Sequence, residues 1–289
     1  MVYGIMWDKV VGFRAAFLFA LLTFSSCQRG VQLSMLKARE QVVSLRQTIG
    51  SDVGEIRSGL PVGAAELVGL FKKPNLSAED AQSAREALER ARDKVQDLRV
   101  AKSTFFAVAL TDGTVLRNDR EQDLMATKNI FQPFPELKGA LAGKYIETQG
   151  SMPEAAGVRG SPDGQWVAAQ PVLVDRQVKG LYVTGWSWAA YAYRLENAVR
   201  TSARSQLPDM GKLPLLYVYL VVNTKVFGAP VSPAVNADAI SKLGVLGKAA
   251  GDQPFVTSLS ITDRDFGLAV LRTPALGANV AVAVLRSET

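Results

Sequence analysis

Histidine is absent from all 289 residues, and cysteine occurs once, at Cys27. Without histidine the chain lacks the side chain that titrates nearest neutrality and the commonest general base and metal ligand. Ser/His/Asp triads, Cys/His pairs and His-ligated zinc are thereby excluded. A single cysteine excludes an intramolecular disulfide and any CxxC redox or zinc pair. Two further absences narrow the field. No run of five Lys or Arg occurs, although Lys and Arg total 33 against 27 Asp and Glu, so the net charge of +6 is diffuse and no nucleic-acid footprint is indicated. No GxxxxGK[ST] or GxGxxG phosphate loop occurs either.

Long apolar runs are also missing. The longest near the N-terminus, Ala15 to Phe24, is about half of the roughly 20 residues that a spanning helix requires. It follows Lys9 and Arg14 and precedes the small residues Ser25, Ser26 and Cys27, which is the order of a secretory leader. Ser26-Cys27 resembles the lipobox of bacterial lipoproteins, with Phe24 standing where an aliphatic residue is usual. That resemblance implies a signal peptide over 1–26, a lipid on Cys27 and a membrane attachment through acyl chains, each CH₂ contributing about 0.8 kcal/mol. By resemblance to Gram-negative lipoproteins, Gln28 after the cysteine implies the outer membrane, periplasmic side.

The full chain has a mean hydropathy of +0.09 and 48% hydrophobic residues, enough for a buried core. Met35, Val42, Leu45, Ile49, Val53, Ile56 and Leu60 recur at three, four or seven and mark one face of a helix, with Gly50 and Gly54 weakening it. GLPVG (59–63) and KKPN read as a punctuated connection. Ser77 and Asp80 form a capping box before a second helix with Ala81, Ala84, Leu88, Ala91, Val95 and Leu98 on one face. At Phe105 the pattern changes: FFAVAL is a buried strand, and Asp112-Gly113 turns into a second. A mainly helical stretch, 124–143, precedes a Pro-Asp-Gly turn and a hairpin, WVAAQPVLV and VKGLYVTGW. A helix from Trp188 follows.

An internal repeat then appears. Residues 166–187 lie over 266–287 without a gap, Trp166 over Phe266 and Ser187 over Ser287, while TDGTVL (111–116) lies over VNTKVF (222–227). The fold class expected is α+β: an N-terminal helical region (27–100), a first antiparallel-sheet unit (101–187), a linking helix (188–210) and a second, smaller unit (211–289).

This plan resembles the double Cache sensor domains of bacterial chemoreceptors and sensor kinases, built of two PAS-like units. FFAVALTDGTVLRN is similar to the family's opening strand pair, PFPELKGALAGK to its helical stretch, and QPVLVDRQVKGLYVTG to its closing hairpin. The resemblance covers about 31–289 and implies an extracytoplasmic module that binds a small organic ligand or a partner protein. Two departures stand out. Gly180 leads to Gly185 where the family often has Asp, and the Arg-x-Trp-Tyr type of signature is not visible, so an amino-acid ligand is unsupported. The sequence given also stops at Thr289 without a transmitter, so a signalling or envelope protein is expected as partner.

Period-two alternation places Trp166, Ala168 and Gln170 together on one face of their strand, and likewise Tyr182, Thr184 and Trp186 on the closing strand. These combine apolar bodies with polar tips, so a pocket is expected on the Tyr182 face, with Phe131 and Phe134 supplied by the helical stretch and Arg117, Arg120 or Lys128 meeting an anion. Plain core is the bland alternative for all of them. The second unit, offering only Tyr217, Tyr219, Asn223 and Arg272, reads as structural. No catalytic pair is found: Asp163 and Asp175 flank the Trp166 strand but read as turn residues, so neither an enzyme nor a cofactor is expected. The runner-up is an envelope scaffold in which the N-terminal helices form a homodimer.

Overall fold

The structure, a computed structural model, describes residues 9–152, 163–206 and 212–288, with side chains from residue 29 onward except Asp163. The side chain of Cys27 and the first eight residues of the expected leader lie outside the described residues.

One helix, α1 (Lys9–Glu66), packs against strands of both sheets. Its buried stripe, Ala38, Val42, Leu45, Ile49, Val53, Ile56 and Leu60, is the face the periodicity marks. The GLPVG stretch does not break it: α1 continues through Pro61, which is exposed. The two glycines of that stretch are packing notches. A Cβ on Gly59 would lie 2.8 Å from Leu98 Cδ2, and one on Gly63 2.5 Å from Leu98 Cδ1 and 2.7 Å from Tyr182 Cε1. Composition alone reads as a turn what is a close approach.

After α2 (Val68–Phe71), the predicted capping box is present: the Ser77 hydroxyl accepts from Glu79 N and the Asp80 carboxylate from Ser77 N. It opens α3 (Ala81–Lys94), and extended backbone at Val95 separates α3 from α4 (Gln96–Val100).

The first sheet comprises β1 (Phe105–Leu110), β2 (Val115–Asn118), β3 (Ile146–Met152), β4 (Asp163–Val174) and β5 (Gln177–Ser187), in the order β2-β1-β5-β4-β3 and antiparallel throughout. The 124–143 stretch holds turns and one 3-10 helix, Pro135–Ala142, less helix than expected. The β4–β5 turn is made by Asp175 and Arg176, both at positive φ, as a two-residue hairpin requires. The Pro-Asp-Gly turn before β4 begins outside the described residues.

Helix α5 (Trp188–Ser205) leads to β6 (Leu215–Val222), β7 (Lys225–Gly228), α6 (Ala234–Lys242), α7 (Val245–Lys248), β8 (Phe255–Ile261), β9 (Arg264–Arg272) and β10 (Val280–Ser287). Their order, β7-β6-β10-β9-β8, is that of the first sheet strand for strand. Hairpin β4–β5 therefore corresponds to β9–β10, as the sequence repeat requires. Both sheets lay one face on a continuous core shared with α1 and α5, in which Val53, Tyr182, Leu195, Val218 and Val282 all belong. Each carries its own core on the other face.

Candidate functional site

The predicted strand pairing holds. Trp166 stands opposite Trp186, Ala168 opposite Thr184 and Gln170 opposite Tyr182. Trp166 and Trp186 stack with centroids 4.5 Å apart, and Tyr191 of α5 stacks on Trp186 at 4.5 Å. This face is filled by α1: Ile49, Val53, Ile56 and Leu60 pack in the same cluster as the aromatic residues, all fully buried. The Thr184 hydroxyl donates to Phe105 O at 2.7 Å. Gln170 is half-buried.

Two buried polar atoms on this face lack a hydrogen-bond partner, the Tyr182 hydroxyl and Trp186 Nε1. Burial raises the Tyr182 pKa, and the nearby Asp119 carboxylate raises it further. Beside them, Asp52 of α1 accepts a 2.7 Å hydrogen bond from Tyr191. Desolvation raises the Asp52 pKa. Glu55, one turn on, is raised by burial first and by Asp52 second.

Phe131 and Phe134 are not part of this constellation. They pack on the opposite face, against Phe105, Ala107, Val167, Leu181 and Val183. Gly113, at φ 89°, leaves room for Phe131, since a Cβ there would lie 2.4 Å from its ring. The physical reason is simple: α1 together with α2, α3, α4 and α5 covers the Tyr182 face, so the segment 119–143 covers the other. The expectation that one face would gather Phe131 with Tyr182 is thus corrected.

Arg117 organises that covering segment. Its guanidinium donates to Arg120 O at 2.9 Å and lies 3.4 Å from Asp123 Oδ2. Asp123 also accepts from the N–H groups of Asn118, Met125 and Ala126 at 2.8 to 2.9 Å. Asp119 holds the start of the same segment, accepting from Phe106 N at 2.9 Å and from Arg92 at 2.6 Å. The Arg120 guanidinium donates to Thr104 O. Asp119 and Asp123 escaped the sequence reading; their signal was two carboxylates at the end of a strand whose last N–H groups need acceptors.

Among the described residues, clefts open outside the packed aromatic cluster, three of them beside the first unit or α1. One, of about 580 Å³, is at the far end of the first unit and includes Lys72, Lys73, Asp112 and Lys179. One, of about 300 Å³, lies between the units at Gln149, Trp188, Lys225 and Phe227. The third, of about 250 Å³, runs between α1 and α5 beside Lys37, Glu40 and Arg286. Among the described residues no group of His, Cys, Asp and Glu is placed to hold a metal, and no helix is long and apolar enough to cross a membrane.

No protein-family model and no curated protein matches the sequence. Solved structures do match. The chain superposes on the extracellular domain of a protein assigned as a histidine kinase, vpHK1S-Z8, with a TM-score of 0.60, 9% identity, 90% of this chain and 93% of that one covered. A domain from Vibrio parahaemolyticus, of a protein assigned to the sensory box/GGDEF family, gives 0.54 at 9% identity with 90% and 98% covered. An extracellular ligand binding receptor from Desulfohalobium retbaense gives 0.52 at 9% identity, with 87% of this chain and 40% of that one covered. At such identities the likeness defines the fold. That fold, a long helix with two five-stranded antiparallel sheets, is the one these extracellular and sensory domains share.

Proposed function

We propose that the chain is an exported sensory and binding module, held at the outer membrane by a lipid on Cys27. In this reading the first unit (101–187) takes up a small organic ligand, the 27–100 region and the 188–210 helix carry the change, and another envelope or signalling protein receives it. The observation that supports it is the unequal cover of the first sheet. One face is packed on the rigid α1, the other under a segment with little regular structure pinned by Asp119 and Asp123. Irregular, locally stabilised segments open at lower free energy than packed helices, so ligand entry belongs under 119–143. Phe131 would then touch the ligand, and Trp166, Gln170, Tyr182, Thr184 and Trp186 would form the joint through which the sheet bears on α1. Arg117 would act by holding the cover. The test is a thermal-shift screen against organic acids, amino acids, amines and purines. Stabilisation by one class, lost in Phe131→Ala, supports the reading; none by any class refutes its ligand half. Release of Cys27→Ser into the soluble fraction, or a block in its processing, supports the anchor, and a membrane-bound Cys27→Ser of processed size refutes it.

A second reading, an envelope scaffold, has its own support. The Tyr182 face is filled, and α1 exposes Leu33, Leu36 and Val43, an unpartnered apolar stripe on which a second copy would form a homodimer. Sedimentation separates the two: a stable oligomer that no ligand stabilises favours the scaffold.

A further inference from the structure

The second unit, structural by its sequence, contains a further cleft of different character. It has a volume of about 380 Å³, within the range of small-molecule sites. Val221, Val226, Ile240, Val245 and Leu246 form its apolar lining, between β6, β7, α6 and α7. Asn223, Thr224, Ser241 and Asn279 stand at its edge. Among its described lining residues there is no Asp, Glu, Lys or Arg, whereas the three clefts described above each contain at least one lysine.

The walls are held in place. Arg272 of β9 donates to Leu246 O at 2.7 Å, to Ala249 O at 2.8 Å and to Ala278 O at 2.8 Å. Its fork therefore fixes the α7 wall and leaves the guanidinium engaged with backbone. Asn223 N donates to Asn279 O at 2.9 Å and fixes the edge where two hairpins meet. Gly244, at φ 56°, turns the chain sharply between α6 and α7.

A second feature lies on the same surfaces. Tyr219 is one pleat from Val221 on β6, and Asn236 is one turn from Ile240 on α6, so both share the faces that line the cleft. Both are buried, and the Tyr219 hydroxyl lies within hydrogen-bonding reach of the Asn236 and Ser232 side chains, a small polar group beside the apolar lining.

We infer that this second-unit cleft is a binding site for a small, uncharged, largely apolar molecule with one hydrogen-bonding group. The site is independent of the lipid anchor and of any ligand in the first unit. The lining sets the charge rule: an ion entering it meets no counter-charge, and the desolvation of that ion is not offset. Shape comes from the Arg272 clamp, which makes Arg272 a positioning residue.

Three probes on one carbon frame test it: cyclohexanol, cyclohexylammonium and cyclohexanecarboxylate. Methyl NMR of the full chain should show saturable shifts at Val221, Val226, Ile240, Val245 and Leu246 with cyclohexanol. The two ions should bind at least about tenfold more weakly, from the same desolvation argument. Val226→Trp should abolish the shifts at the remaining methyls by filling the cleft, and Arg272→Lys should weaken binding while the first-unit methyls stay unmoved. Equal binding of the ions, or cyclohexanol shifts confined to Leu181 and Val183, would overturn the inference. Because those first-unit methyls are read in the same spectrum, its failure is distinguishable from failure of the ligand reading for the first unit.

Discussion

The hydroxyl of Tyr191 on α5 donates to the carboxylate of Asp52 on α1 at 2.7 Å, across residues 139 apart in sequence. The bond joins the helical spine to the helix that leads into the second unit, and the Trp166–Trp186–Tyr191 stack ties the same point to the first sheet. Burial at such a joint makes it sensitive to small changes. Tyr191→Phe leaves the buried carboxylate without its donor, and the expected loss is about 1–3 kcal/mol, measured by urea unfolding near neutral pH.

The pH dependence of the joint has a definite sign. Asp52 and Glu55 both have folded pKa values raised above ordinary, chiefly by desolvation; for Asp52 the Tyr191 hydrogen bond opposes first and then Lys102 and Arg194, and for Glu55 Lys102 opposes. The folded state therefore holds these protons more tightly than the unfolded chain does. Their contribution is full below the ordinary value, 3.8 for Asp, and is lost as pH rises through the raised folded values. Glu196, buried under Val218 N and Arg200, shifts the same way and adds to the slope. Asp52→Asn retains an oxygen for Tyr191 and should flatten the decline from acid toward neutral pH, as followed by urea midpoints across that range.

The helix notches separate two effects usually confounded in glycine substitutions. Gly54 and Gly63 both lie in α1, but a Cβ on Gly54 meets nothing within 4 Å while one on Gly63 meets Leu98 and Tyr182. Gly54→Ala should stabilise by about 0.5–1 kcal/mol through helix propensity. Gly63→Ala gains the same propensity and should still destabilise, by about 1–3 kcal/mol, because the core around it is full. Thermal unfolding of the two variants should therefore move in opposite directions.

The cover of the first sheet depends on one carboxylate. Asp123 accepts three backbone N–H groups and faces Arg117. Asp123→Ala strands those donors, and about 2–4 kcal/mol of local stability should go with them. Hydrogen exchange at Met125 and Ala126 should accelerate far more than exchange in β5. Equal acceleration in both would mean that the cover and the sheet open as one unit, which would remove the basis for entry under 119–143.

Much of the fold was legible, for reasons that differ by element. FFAVAL coincides with β1 because a strand buried on both faces is an unbroken apolar run. Hairpin β4–β5 and its copy β9–β10 show because the repeat keeps their spacing. Strand β3 did not show: IETQGSM is an edge strand, half-buried along most of its length, so neither alternation nor an apolar run marks it. The pocket expectation failed at Phe131 for a deeper reason. Period-two alternation divides a strand's residues between two faces, but it is blind to which distant segment covers which face. That choice was made by the N-terminal helices, and the fit of α1 to Tyr182 depends on the Gly63 notch, and its fit to α4 on the Gly59 notch, which composition presents as a turn.

Tyr182 itself separates joint from pocket. Its hydroxyl is buried without a partner, and its ring is packed beside Phe106 at 5.8 Å and over the Gly63 notch. If the residue serves only to seat α1, Tyr182→Phe removes a polar atom whose desolvation nothing offsets, and stability should stay level or rise by up to about 1 kcal/mol. Ligand-induced thermal shifts, where the screen finds any, should survive the change. Loss of those shifts with stability intact would instead place the hydroxyl on the ligand, and the binding face would then be the one packed on α1, with the helix required to move for a ligand to enter.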